Sequence, residues 1–137
     1  GLSDLINKKS GVAGLVGGSS DMRDLENAVA AGDERAIMTL DVYNYRIKKY
    51  IGAYAAAMGG CDILVWTGGV GENQWATRRV VCENMEYMGM KIDVEKNEGM
   101  RGEEMVISTP DSKVTIIVVP TDEEYMIAAD TMDILGK

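Results

Sequence analysis

Apolar residues recur at helical spacing in two stretches of the first sixty residues. Leu25 and Val29 stand four apart, behind Ser20 and Asp21, either of which can cap a helix start; Gly32 stops the pattern after Ala31. A longer pattern follows over residues 33–58. Ile37, Leu40, Tyr43, Ile47, Tyr50, Ile51, Tyr54 and Met58 fall three or four apart, Asp33 opens the run, and Gly59-Gly60 closes it. That stripe predicts one long helix whose apolar side serves as core or as a subunit interface.

The pattern then changes period. Ile63-Leu64-Val65-Trp66 is a short apolar run ended by Gly68-Gly69, which predicts a buried strand. Asn73 is placed to cap a helix through about Met88, with Gly89 behind it. Residues 90–93 predict a short strand, and residues 95–104 a polar connection. Residues 105–108 and 114–119 predict two strands joined across Thr109-Pro110-Asp111-Ser112, a turn composition. A last helix is predicted from Thr121 to about Leu135. Strands alternating with helices predict an α/β class with a sheet at least partly parallel. The strands are few: residues 114–119 and 63–66 are apolar on both faces and want neighbours on both sides. A small sheet, or one completed by strands from elsewhere, follows.

Composition removes several chemistries. The chain of 137 residues has 14 Lys+Arg against 22 Asp+Glu, a net charge of −8, which speaks against nucleic-acid or anionic-membrane partners. Histidine is absent, so no Ser-His-Asp triad, Cys-His pair or His-ligated metal can form within it. Cys61 and Cys82 lack a CxxC spacing and predict reduced, mostly buried thiols. No apolar run approaches the ~20 residues that span a bilayer, and no signal-like start is seen. A cytoplasmic protein is the expectation.

Three stretches can carry chemistry. Thr67-Gly68-Gly69-Val70-Gly71-Glu72-Asn73 joins a predicted strand to a predicted helix, where glycines and free backbone N–H groups suit a phosphate or purine. It is neither a Walker A loop nor a full dinucleotide fingerprint, since Gln74 stands where the third Gly or Ala belongs. A plain strand-to-helix turn has the same composition. In Pro120-Thr121-Asp122-Glu123-Glu124, Thr121 and Glu124 have capping-box spacing, which leaves Glu123 free at the sheet edge where α/β proteins bind ligands. A free carboxylate there suits Mg²⁺ through waters; helix-dipole preference for acids explains it equally. In Gly17-Gly18-Ser19-Ser20-Asp21-Met22-Arg23-Asp24, Asp21 and Arg23 can meet a ribose and a phosphate or base, or simply cap a helix. Arg78, Arg79, Lys48 and Lys49 fit exposed helix faces and receive no function.

Taken together, these stretches resemble the C-terminal part of acetate kinases. The resemblance runs through Asn7-Lys8-Lys9-Ser10-Gly11, Gly18-Ser19-Ser20-Asp21-Met22-Arg23-Asp24 and Tyr45-Arg46-Ile47-Lys48-Lys49-Tyr50-Ile51-Gly52-Ala53-Tyr54-Ala55-Ala56. It continues through Trp66-Thr67-Gly68-Gly69-Val70-Gly71-Glu72-Asn73, Ile107-Ser108-Thr109-Pro110-Asp111-Ser112-Lys113 and Pro120-Thr121-Asp122-Glu123-Glu124, in family order over nearly the whole chain. Met22 replaces the commoner Phe, Gly68 an Ala, Trp66 a Phe and Asp122 an Asn. The resemblance implies a partial RNase H-like domain of the actin-like ATPase kind, with a mixed sheet, flanking helices and one long helix. It implies reversible transfer of the ATP γ-phosphoryl to acetate, with ATP/ADP and Mg²⁺ as cofactors. Asp21, Met22 and Arg23 then correspond to the segment beside ribose and adenine. Gly69, Val70, Gly71, Glu72 and Asn73 correspond to the nucleotide loop, and Glu123 to the Mg²⁺-associated glutamate. The family's N-terminal signature with its Mg²⁺-side Asn, its catalytic Asp, its phosphoryl-binding Arg and His residues and its acetate pocket have no counterpart here. No catalytic residue is therefore expected in this chain. Residues 1–137 are expected to be part of a C-terminal, nucleotide-side domain, inactive alone and forming a homodimer in the intact enzyme. The alternatives are a propionate or other short-chain acyl kinase of the same family, and a non-catalytic helical dimerisation module.

Overall fold

The computed structural model describes residues 1–136 and divides the chain into two compact units, Gly1–Gly60 and Cys61–Lys137. The first unit is helical throughout: α1 (Leu2–Lys8), α2 (Gly11–Val16), α3 (Met22–Ala30) and α4 (Glu34–Met58). The first two, only seven and six residues long, are not predicted by the sequence pattern. Helices α3 and α4 start where their caps dictate. The Asp33 carboxylate accepts from the Arg35 and Ala36 amides at 2.8 and 3.0 Å, which satisfies two of the orphan donors of a helix start. Gly59, at φ 79°, ends α4 in the left-handed region that Gly adopts without penalty.

Helices α2 and α3 pack on α4. The buried residues of α4 are small or polar: Ala36, Thr39, Asn44 and Ala55. The large stripe residues Ile37, Tyr50, Tyr54 and Met58 are exposed instead, and so are Val42 and Tyr45. Of the two roles the stripe allows, core is therefore not what its largest members fill.

The second unit contains the sheet, with β1 (Ile63–Trp66), β2 (Met105–Val106) and β3 (Thr115–Val118) in the order β1-β3-β2. Strand β3 is central, parallel to β1 and antiparallel to β2, and its Ile116 and Val118 are fully buried. The mixed sheet agrees with the sequence, and so does the thin strand supply. Strand β1 departs from it. Only Trp66 is buried, while Ile63 and Val65 are exposed, because they lie on the opposite face of the sheet, beside the exposed Thr115 of β3. Residues 90–93 contribute two isolated bridges, Met90 to Val114 and Ile92 to Ser108, rather than a strand.

The helix expected from Asn73 to Met88 is broken into pieces. The glycine stretch is itself helical, as α5 (Gly68–Asn73). Gln74 leaves helical geometry, α6 covers Trp75–Cys82, and a single 3₁₀ turn covers Glu86–Met88. Between the last two, Asn84 takes φ 58°. A short α7 (Val94–Asn97) lies in the stretch read as polar connection, and α8 (Glu123–Ile134) closes the order. The expected Thr121–Glu124 capping box does not form. Asp122 is the cap, accepting from the Tyr125 amide at 2.9 Å, and Thr121 is committed elsewhere. Cys82 is buried as expected, Cys61 only partly, and neither forms a disulfide among the described residues. No helix among the described residues is long and apolar enough to cross a membrane.

Candidate functional site

Parallel pairing of β1 with β3 brings their C-terminal ends to one edge of the sheet, and each leads into a helix, α5 or α8. The Val119 amide donates to the Trp66 carbonyl at 2.9 Å, holding the two exits side by side. The turn from β1 into α5 requires φ 68° at Gly68, a backbone state that an L side chain resists. Gly71 is needed for a different reason. A Cβ there would lie 3.0 Å from the Trp66 carbonyl carbon, so α5 packs directly on the end of its own strand.

Thr121 stitches the two exits together. Its amide and hydroxyl both donate to Glu72 Oε1, at 2.8 and 2.9 Å. The same hydroxyl oxygen accepts from the Gly68 amide at 3.1 Å and lies 2.8 Å from Thr67 Oγ1. These bonds hold the Glu72 carboxyl below its ordinary pKa, chiefly through the Thr121 amide, then through its hydroxyl. Around them opens a cavity of about 490 Å³ lined by Gly68, Gly69, Glu72, Thr121, Asp122, Glu123 and Glu124. The fold thus brings Gly69 and Glu72 together with Glu123, the sequence-predicted loop with the sequence-predicted carboxylate. Val70 and Gly71 sit behind the cavity wall. The Asn73 amide group donates to the Gly69 carbonyl at 3.0 Å and so braces the helix from within.

Arg78 is the residue that the sequence reading misplaced. Far from a solvated face, it is fully buried. Its guanidinium donates to the Gly71 carbonyl at 2.7 Å, the Glu72 carbonyl at 3.0 Å, Asn97 Oδ1 at 2.9 Å and the Met100 carbonyl at 2.8 Å. Burial lowers its pKa, and four neutral oxygens stabilise the charge in place of a carboxylate. A signal for this exists in the sequence. Arg78 precedes Val81 and Cys82 by three and four residues, on the side of α6 that this apolar pair marks as inward.

Asp21, Met22 and Arg23 lie in the first unit. Asp21 caps α3 through the Arg23 amide at 2.9 Å, and Arg23 returns its guanidinium to both Asp21 oxygens at 3.2 and 2.7 Å. The Arg23 side chain is 85% exposed, and Met22 is half-buried. The Arg23 hydrogen bonds bring the Asp21 carboxyl down from 3.8 to about 2. A depressed carboxyl pKa contributes stability above its unfolded value and loses it as pH falls through the folded one. A carbon-13 titration should therefore place the Asp21 midpoint near 2, and Arg23→Met should return it toward 3.8.

The chemistry on offer around the cavity is oxygen donors and backbone amides. Among the described residues, no three Asp, Glu or Cys side chains gather closely enough to hold a metal ion by themselves. Glu123 is exposed at the cavity. It fits a hard cation that keeps most of its waters and takes its other ligands from phosphate, the usual manner of Mg²⁺.

Comparison with known proteins gives a consistent result. The model of the acetokinase family matches residues 1–129. The chain is 90% identical over 137 residues to an acetate kinase of Parabacteroides distasonis, covering 100% of this chain and 34% of that protein. It is 68% identical over 135 residues to an acetate kinase of Porphyromonas gingivalis, covering 98% of this chain and again 34% of the relative. The crystal structure of Porphyromonas gingivalis acetate kinase matches with a TM-score of 0.91 at 67% identity, over 98% of this chain and 34% of that one. A propionate kinase structure from Francisella tularensis matches at 0.80 and 33% identity, over 93% of this chain and 32% of that one. The chain spans about a third of the length of the curated relatives it matches.

Proposed function

We propose, from the premise that this chain belongs to the acetokinase family, that it forms the nucleotide-binding, C-terminal part of an acetate kinase. The mixed α/β fold is that of its structural neighbours, acetate kinases with the actin-like ATPase fold. The parent enzyme transfers the γ-phosphoryl of ATP to an acetate oxygen, leaving ADP and acetyl phosphate, and runs in reverse. One observation carries the assignment of this part. The cavity at the sheet edge sets Gly68 and Gly69 of α5 against Glu123 of α8. Glycines without side chains there let phosphate oxygens approach the backbone, and Glu123 holds the waters of a Mg²⁺ ion. Bound Mg²⁺ supplies positive charge against the phosphates, the main demand of phosphoryl transfer. Val70, Gly71, Glu72 and Asn73 complete the nucleotide loop. In the first unit, Asp21, Met22 and Arg23 serve the ribose and adenine side.

Acetate is favoured over propionate as acceptor because acetate kinases match at 90% and 68% identity, the propionate kinase at 33%. The exposed Tyr45, Tyr50, Tyr54 and Met58 of α4 belong, in this proposal, to the surface of a cytoplasmic homodimer. No catalytic residue is assigned to this chain, which alone is expected to be inactive. Trp66 and Trp75 stand on either side of α5, so tryptophan fluorescence tests the proposal. Titration of the 137-residue chain with ATP and Mg²⁺ should give a saturable change, with no acetyl phosphate formed when acetate is added. Absence of saturable binding overturns the nucleotide assignment, and acetyl phosphate formation overturns the inactivity.

A further inference from the structure

We propose that Glu72 is a positioning residue, which sets the segment bearing Glu123 and does not itself touch the nucleotide. The inference rests on the function proposed above and gives Glu72 a role different from that of the glycines beside it. Both donors of Thr121 end on one oxygen of Glu72, across 49 residues of sequence. The Thr121 hydroxyl has a single proton, and Glu72 takes it. Thr67 must therefore donate to Thr121, as the Gly68 amide does, and the direction of every bond in the cluster is fixed. Glu72 is held at its other end as well. Its carbonyl accepts from Arg78 Nη1 at 3.0 Å and from the Gly102 amide at 3.2 Å. A carboxylate anchored by its own backbone and closed on Thr121 is suited to hold a loop still. The loop it holds runs directly into Asp122, the cap of α8, and Glu123, the first residue of that helix. Without Glu72 the Thr121 amide and hydroxyl lose their acceptor and only the bonds accepted from Gly68 and Thr67 remain, so the segment that carries, two residues on, the carboxylate at the cavity is held less firmly.

The test separates positioning from contact. In the chain without metal or nucleotide, Glu72→Ala should speed exchange of the Thr121 and Gly68 amides by about tenfold, the scale of one charge-assisted hydrogen bond. Glu72→Gln keeps an acceptor oxygen in place and should leave that exchange near the wild-type rate. ATP affinity is then measured by tryptophan fluorescence with Mg²⁺ and with EDTA. Glu72→Ala and Thr121→Val should lose about tenfold in affinity with Mg²⁺ and stay within about twofold in EDTA. Glu72→Gln and Thr121→Ser should behave as wild type in both. If Glu72→Gln is as damaging as Glu72→Ala, the carboxylate meets the ligand directly and the inference fails. Equal losses with and without Mg²⁺ also overturn it. A wild-type chain with no Mg²⁺-dependent binding overturns the proposed function and this inference together, whereas intact binding in Glu72→Ala overturns the inference alone.

Discussion

Arg78→Met will lower the unfolding midpoint of the second unit by on the order of 15 °C, as followed by tryptophan fluorescence. The size follows from what is left behind. Methionine matches much of the arginine's length but none of its donors, so the carbonyls of Gly71 and Met100 and the Asn97 amide oxygen lose this partner together, while the Glu72 carbonyl keeps the Gly102 amide. An unsatisfied buried acceptor costs about 1–3 kcal/mol. Partial relaxation around three of them still leaves a loss of about 4 kcal/mol, large for a single substitution. A unit of this size shifts by about 4 °C or more per kcal/mol. Both tryptophans, Trp66 and Trp75, lie in the second unit, so their emission reports on it and not on the helices before Gly60. Arg78→Lys should recover only part of the loss, because an ammonium on a flexible stem cannot span oxygens arranged around a planar fork. Asn97→Leu and Arg78→Met should be non-additive by about 1–3 kcal/mol, since they remove the two ends of one bond. A shift below about 4 °C for Arg78→Met would show that the clamp does not hold the unit together.

Arg78 also shows where sequence reading stops. A cation on a helix is by default placed in solvent; the spacing of Arg78 to Val81 and Cys82 hints at the inward side, but what would satisfy the buried charge is not legible until its acceptors are known. Those acceptors are backbone carbonyls of α5 and of the segment after α7, which no side-chain pattern announces. The elements that were legible had local causes. Helix α4 follows from its Asp33 cap, its unbroken three-and-four spacing and its Gly59 stop, and its bounds came out within a residue. Strand β3 follows from its continuous apolar run. The failures have non-local causes. Nothing in Ile63-Leu64-Val65-Trp66 says that one face of the strand is left open, and the exposure of Ile63 and Val65, beside Thr115 of β3, depends on what packs on that face. Thr121 was read as a cap because its neighbours in sequence allow it, while its bonds go to Glu72 and Gly68, some fifty residues away. Glu123 and Gly69 are candidate site residues from their two strand-to-helix junctions and from the family resemblance; the cavity that they share rests on the pairing of β1 with β3 and on the bonds of Thr121.

Gly69→Val and Gly71→Val, two residues apart on one short helix, will fail in opposite ways. A Cβ at Gly71 meets the Trp66 carbonyl carbon at 3.0 Å and its Cα at 3.4 Å. These are backbone atoms of β1 and cannot swing aside as a side chain would. The three carbons of valine must push α5 off the strand, an overpacking cost of about 3 kcal/mol, or about 12 °C in the unfolding midpoint. At Gly69 a Cβ has no neighbour within 4 Å, and the residue lines the cavity. Valine there should leave the midpoint within about 3 °C, because a solvent-facing helix position trades glycine's backbone entropy for a modest propensity cost. If phosphates approach the backbone at this point, the same substitution fills their path and cuts Mg²⁺–ATP affinity by at least about tenfold, equivalent to the loss of one good contact. The pair therefore separates two demands that one run of glycines makes at once. Gly71 is small because the helix must lie on its own strand, whereas Gly69 is small with nothing of this unit pressing on it. An unchanged affinity in Gly69→Val, with the fold intact, would reduce the glycine stretch to a turn and leave the cavity without a nucleotide.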